Sequence, residues 1–264
     1  MQKLGQHFLK NTAVLQTIAN ALEVQKGETV IEVGPGHGEL TMPLIYIIKK
    51  SGGTAIAIEK DHSLIAPLVD LDKEETAGLL EVVEGDALKL LPEIAAGLDH
   101  FKIAGNIPYY ITGKLLRVIS ELKHRPERVV LLIQKEVAER ICTAPPAMNR
   151  LAASVQFWAD AAIIAAVPRK DFSPPPDVDS AVIVLKTKSL ALSVDPEHYY
   201  RAVRTIFAQP RKTLLNNLSE LADGADAKHT IGAKLEKLGI DPGSRPQNLS
   251  INQIVAIAKA PLWG

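Results

Sequence analysis

Residues 105–110 read Gly-Asn-Ile-Pro-Tyr-Tyr and follow the largely apolar run Phe101-Lys102-Ile103-Ala104. An amide, a proline and two aromatics equip the exit of a strand for a planar, polar ligand. Asn106 offers an amide oxygen as acceptor, and Pro108 fixes the backbone so that neighbouring carbonyls face the same cleft. Tyr109 offers a ring on which a base can stack. Together these groups can accept both hydrogens of an exocyclic amine whose lone pair is otherwise delocalised into its ring. They can also hold that nitrogen in line with an electrophile, a positioning effect. Attack on a sulfonium would give an acidic ammonium, so no strong general base is required.

A second set of residues could supply the electrophile. "VIEVGPGHGEL" reads as a buried strand, a turn with Gly34, Gly36 and Gly38, and a helix beginning near Glu39. The dinucleotide fingerprint needs its third glycine one place later, where this chain has Glu39, so the spacing disfavours NAD or FAD. Glu59 follows the second strand and can accept hydrogen bonds from a ribose diol; Asp86, in "EGDAL", can reach an adenine amino group. Either carboxylate alone reads more readily as a helix N-cap or a loop charge. Both at strand ends behind a glycine turn describe an adenosine crevice. Glu32, just before the turn, is a poor neighbour for phosphate but a tolerable one for a sulfonium and an ammonium. S-adenosylmethionine therefore fits better than a nucleotide phosphate.

Positioning these groups requires an open sheet. Thr29 to Val33, Thr54 to Ile58, Leu80 to Val83, Phe101 to Ala104 and Val129 to Ile133 are short apolar runs separated by stretches with helical spacing. That alternation predicts an α/β fold, a parallel sheet with helices on both faces. Ala162 to Val167 and Ala181 to Leu185 read as a late antiparallel pair at its edge. After Lys188 the pattern turns helical, with Asp195-Pro196 as a helix start. The chain is thus expected to divide into residues 1–188 and an all-helical domain, 189–264.

The 264 residues carry 30 Lys and Arg against 30 Asp and Glu, no signature of a strongly basic nucleic-acid binder. The balance is uneven, however: residues 185–264 hold 11 Lys and Arg against 7 Asp and Glu. That bias is compatible with a polyanionic partner. A single cysteine, Cys142, excludes an internal disulfide, and the seven histidines form no metal-ligand pair, so no metal site is expected. Ser154 and Ser180 lack nucleophile-elbow glycines, which argues against a hydrolase. The longest apolar run, Ala161 to Val167, is too short to span a bilayer, and a soluble, cytoplasmic protein is expected.

Several stretches together resemble the small-subunit ribosomal RNA adenine dimethyltransferases: "LGQHFL", "VIEVGPGHGELT", "AIEKD", "EGDAL", "GNIPYYIT", "QKEVAERI", "FSPPPDVDSAV" and "FAQPRKTLLNNL". The resemblance runs from residue 4 to about 218. It implies a Rossmann-like class I methyltransferase domain and a helical RNA-recognition domain. It implies an S-adenosylmethionine-dependent enzyme that places four methyls on two adjacent adenosines of a hairpin near the 3′ end of small-subunit RNA, in ribosome assembly. By position, the family's cofactor contacts fall on His7, Leu9, Gly34, Glu59, Asp86 and Asn106. The target-base pocket falls on Asn106, Ile107, Pro108, Tyr109 and Phe172, with Phe172 on the base face opposite Tyr109.

The chain departs from the family pattern at three places. His7 stands for the usual Asn, Met148 to Ala153 keeps only the Arg-Leu of Tyr-Gly-Arg-Leu-Ser-Val, and Pro210-Arg211-Lys212 stands for Arg-Arg-Lys. "PRK" at 168–170 and at 210–212, with Lys114, Arg140, Arg150, Arg201 and Arg204, are candidate phosphate contacts. Two alternatives remain: a resistance-type methyltransferase of large-subunit RNA, and a catalytically silent RNA-binding assembly or transcription factor. The expected partners are the RNA and the assembling small subunit, and the expected state is a monomer.

Overall fold

A computed structural model describes residues 7–71, 78–188, 194–219 and 226–260. The chain divides into two compact units, residues 1–138 with 160–187, and residues 139–159 with 188–264.

The first unit opens with β1 (Phe8–Leu9) and α1 (Thr12–Ala21), whose N-cap Asn11 accepts from the amides of Ala13 and Val14. β2 (Thr29–Val33), α2 (Thr41–Ser51), β3 (Thr54–Glu59), α3 (His62–Leu71), β4 (Leu80–Glu84) and α4 (Ala87–Ala96) then alternate. β5 (Phe101–Asn106), α5 (Thr112–Glu121), β6 (Arg128–Gln134) and α6 (Lys135–Ile141) follow. β7 (Ala159–Val167), β8 (Phe172–Ser173) and β9 (Ser180–Thr187) complete the strands.

Seven strands form one sheet in the order β4-β3-β2-β5-β6-β9-β7, with β4, β3, β2, β5 and β6 parallel and β9 antiparallel to β6. β2, β5 and β6 are buried almost throughout, because helices cover both faces; this is why they read as unbroken apolar runs. The chain builds outward from β2 through β3 to β4, then returns to add β5 on the other side. That reversal opens a crevice at the carboxyl ends of β2 and β5, where such sheets bind ligands.

Each sequence-predicted strand appears, most of them extended by a residue or two. The late pair is present, with β9 set between β6 and β7. The helix expected near Glu39 begins at Thr41. A separate two-stranded ribbon, β1 with β8, pairs Phe8 with Ser173 and Leu9 with Phe172. Two-residue strands leave no periodic trace in a sequence.

In the second unit lie α7 (Arg150–Gln156), α8 (Pro196–Ile206), α9 (Leu214–Ser219), α10 (Ala227–Lys237) and α11 (Ile251–Lys259). Asp195 caps α8 through the amides of Glu197 and His198, with Pro196 at the first helical position as expected. Residues 139–159, read above as part of the first domain, belong to this unit. The reason is packing: the Phe157 ring stacks on Tyr199 at 3.7 Å between centroids, and the Tyr199 hydroxyl donates to the Ala153 carbonyl at 2.9 Å.

Candidate active site

The residues at the carboxyl ends of β2, β3 and β5 surround an open cleft in the first unit. Its floor is the glycine turn. Gly34, Gly36 and Gly38 have φ of +68°, +62° and +89°, a region L side chains rarely adopt. At Gly36 a Cβ would stand 2.8 Å from the Phe8 ring, so the turn can lie against that ring only without a side chain. The Gly34 amide donates to the Ile58 carbonyl at 3.0 Å, tying the turn to the end of β3.

Glu59 is buried at that end. Its Oε2 accepts from the Gly36 amide at 3.1 Å, and its Oε1 accepts from the amides of Lys60 and Asp61 at 2.8 and 2.7 Å. The carboxylate is thus fixed beside the turn, with acceptor capacity left on Oε2 for a hydroxyl. Glu32 is buried behind the turn. Its Oε2 accepts from the Thr41 hydroxyl at 2.7 Å, clamping β2 to the start of α2, and its Oε1 has no partner. Burial, with the nearby charges of Glu59 and Glu39 adding to it, pushes its carboxyl up to about 8 against the opposing Thr41 bond.

On the opposite wall, Asn106 ends β5, and its Nδ2 donates to the His7 carbonyl at 3.0 Å. This leaves Oδ1 as the acceptor end of the amide. Pro108 caps the short 3₁₀ turn Tyr109–Ile111. The half-buried Tyr109 shares a 2.7 Å hydroxyl bond with Ser180, and the His7 ring stacks against it at 6.1 Å. Burial raises the Tyr109 phenol further above its ordinary range, so it is neutral at physiological pH.

The N-terminal strap, residues 7–10, crosses the cleft. Leu9 is buried, Phe8 meets His37 at 4.4 Å, and Lys10 pairs with Glu39 at 2.8 Å.

Of the sequence-predicted site residues, His7, Leu9, Gly34, Glu59, Asn106, Ile107, Pro108 and Tyr109 all line this cleft. Two others have side chains engaged within the protein. Asp86 is the N-cap of α4, its Oδ1 accepting from Leu88 N at 3.0 Å and its Oδ2 from Lys60 Nζ at 2.9 Å. The Lys60 bond, with the capped amide, holds the Asp86 carboxyl below its ordinary range. Phe172 is buried at 4% exposure in the core with Leu9 and Val167. Its place in β8, paired to Leu9, explains that burial.

Sequence reasoning missed the Lys10–Glu39 pair, Ser180 behind Tyr109, and Thr41 behind Glu32. Each depends on long-range approach, and none has a spacing that announces it. Arg169, Lys170, Arg211 and Lys212 are exposed, as phosphate contacts must be. Among the described residues no cluster of His, Cys, Asp and Glu could hold a metal ion, and no helix is long and apolar enough to cross a membrane.

Comparison with known proteins adds to this geometry. The family described as "Ribosomal RNA adenine dimethylase" matches residues 1–260. The ribosomal RNA small subunit methyltransferase A of Dehalococcoides mccartyi strain CBDB1 is 39% identical over 254 residues, covering 95% of this chain and 84% of the relative. The protein of the same name from Geobacillus thermodenitrificans is 34% identical over 268 residues, covering 98% and 90%. Among solved structures, a dimethyladenosine transferase from Plasmodium falciparum superposes with a TM-score of 0.82 at 26% identity, covering 95% of this chain and 96% of that one. The 23S rRNA methyltransferase ErmE shares the fold, with a TM-score of 0.74 at 23% identity and coverage of 96% and 98%.

Proposed function

The chain belongs to the ribosomal RNA adenine dimethylase family, and from that premise we infer that it dimethylates adenosines of small-subunit ribosomal RNA. The targets are the exocyclic amines of two adjacent adenosines in a 3′-terminal hairpin, modified on the assembling subunit by a cytoplasmic monomer. One observation carries the reading: an amide acceptor, a proline-fixed turn and an aromatic ring share a single cleft with a glycine turn and a buried carboxylate. The small-subunit choice over a large-subunit target is supported by the relatives' names, whereas the likeness to ErmE speaks only to fold.

The cleft fits S-adenosylmethionine. At Gly34 a Cβ would meet only the Asn106 carbonyl, at 4.0 Å, so the turn there admits close approach of a ligand, and Glu59 is held ready as an acceptor for a ribose hydroxyl. When bound, that cofactor supplies an electrophilic methyl on a sulfonium. Holding the amine falls to Asn106 Oδ1 and the backbone carbonyls around Pro108, which accept its two hydrogens and free its lone pair. Tyr109 holds the base by stacking, its ring aimed by the Ser180 bond. Asp86 and Phe172 retain proposed roles in adenine and base recognition: Asp86 accepts two hydrogen bonds and keeps acceptor capacity for a third, whereas Phe172 would have to leave its core partners.

Undermethylated small and large ribosomal subunits, incubated side by side with enzyme and labelled cofactor, test the reading by mass spectrometry. Dimethyladenosine on the small-subunit RNA alone is expected. Label on the large subunit, or on neither, would count against it.

A further inference from the structure

Asn106 meets the His7 carbonyl at 3.0 Å, and only the Nδ2 end of the amide can make that contact, because two acceptor oxygens would repel. The bond therefore selects one of the two orientations of the amide. We propose that His7 is a positioning residue whose backbone carbonyl locks Asn106 with Oδ1 toward the cleft, so that the N-terminal strap must be seated before the target amine can be held. The proposal rests on the reading of Asn106 as the amine's acceptor.

The strap is built to be seated or unseated as a piece. On one side β1 pairs with β8, Lys10 N donates to the Asp171 carbonyl at 2.8 Å, and His7 Nδ1 donates to the Pro174 carbonyl at 2.9 Å. On the other, the Phe8 ring lies over Gly36 and Lys10 Nζ reaches Glu39. The same few residues thus touch the glycine turn, the amide of Asn106 and, through the His7 ring, Tyr109. Order in the cofactor half of the cleft is thereby coupled to the orientation of the acceptor in the other half. The coupling runs through a main-chain atom, so the replacement of the family's usual Asn by His at this position leaves it intact.

Exchange of the Asn106 side-chain amide protons with solvent, read by NMR on protein labelled with ¹⁵N-asparagine, tests the lock directly. Loss of the signal in Asn106→Gln assigns it. In the wild type these protons should exchange well below the rate of an exposed asparagine. Lys10→Glu, which sets two carboxylates against each other, should speed exchange about fivefold, the scale of an exposed ion pair reversed.

Single-turnover methyl transfer at saturating cofactor and small subunits should follow the locked fraction that exchange reports, falling little in Lys10→Glu and more when Phe8→Ala is added to it, with the KM for subunits unchanged. The swap Lys10→Glu with Glu39→Lys should restore both quantities. The proposal is overturned if wild-type exchange is already as fast as that of an exposed asparagine, or if transfer fails to follow the locked fraction that exchange reports. It is overturned equally if Lys10→Glu and Phe8→Ala both leave exchange and transfer unchanged. Full transfer by Asn106→Ala would instead remove the reading of Asn106 itself, an outcome the exchange data keep separate.

Discussion

At the scale of single residues the cleft makes sharp demands. Asn106→Ala deletes the acceptor while leaving β5 paired on both sides, so the melting temperature should hold while turnover falls about 10²- to 10³-fold, the cost of losing one preorganised hydrogen-bonding group. Tyr109→Phe keeps the ring and loses only the Ser180 contact, whereas Tyr109→Ala loses the stacking surface. The alanine variant should lose turnover while calorimetry finds cofactor affinity nearly unchanged; equal loss of both would contradict stacking. Glu32 gives a pH signature. Its carboxyl titrates near 8 in the folded chain, above the ordinary 4.5, so between those values the folded state holds a proton that the unfolded state has released. Stability therefore falls as pH rises through that window, by at most about 1.4 kcal/mol per pH unit from this group. Glu32→Gln, which can still accept from Thr41, should flatten the dependence; identical pH slopes for the two proteins in urea titrations would refute the assignment. Asn106, Tyr109, Gly34 and Glu59 were legible in the sequence because strand ends and glycine spacing place them at one edge. The cap made by Asp86 and the burial of Phe172 were not legible, since a cap and a buried aromatic look the same in a sequence as two ligand contacts.

Elements explain why the legible part was legible. The parallel strands are buried on both faces and so announce themselves as apolar runs, and their carboxyl ends fix where the chemistry must lie. The ribbon of β1 and β8 carries no such signal, yet it brings His7 to Asn106 and draws Phe172 into the core. The glycine turn is the element most exposed to a small change. Gly36→Ala combines a strained positive φ with a Cβ driven against Phe8. It should cost about 1–2 kcal/mol of stability, the range for a non-glycine residue forced into that backbone region. It should weaken cofactor binding by a larger factor, because Phe8 has to leave the turn. Denaturant midpoints and calorimetry on one preparation separate the two effects, and cofactor affinity equal to wild type would show that the contact is not needed.

At the scale of the whole molecule, sequence placed one boundary near residue 188, and the chain changes unit there for the last time. Composition could not reveal the earlier excursion, because the partition falls inside α6 and inside β7 and not in a linker between elements. Tyr199 is the centre of that second unit, fully buried, stacked on Phe157 and bonded to Ala153. Tyr199→Ala should cost about 3–5 kcal/mol, as large aromatic truncations in cores do, and hydrogen exchange should rise first along α7 and α8. A chain ending at Lys188 would strip the apolar side of 139–159 of its partners and should aggregate rather than yield a free first unit. Strand order adds a last consequence. Among the described residues β9 is the final strand to be synthesised, yet it sits between two made earlier, β6 and β7. A nascent chain still tethered at its growing end therefore exposes the open flank of β6 until residue 187 has emerged, and only then can the barrier to protease attack rise along the whole sheet at once.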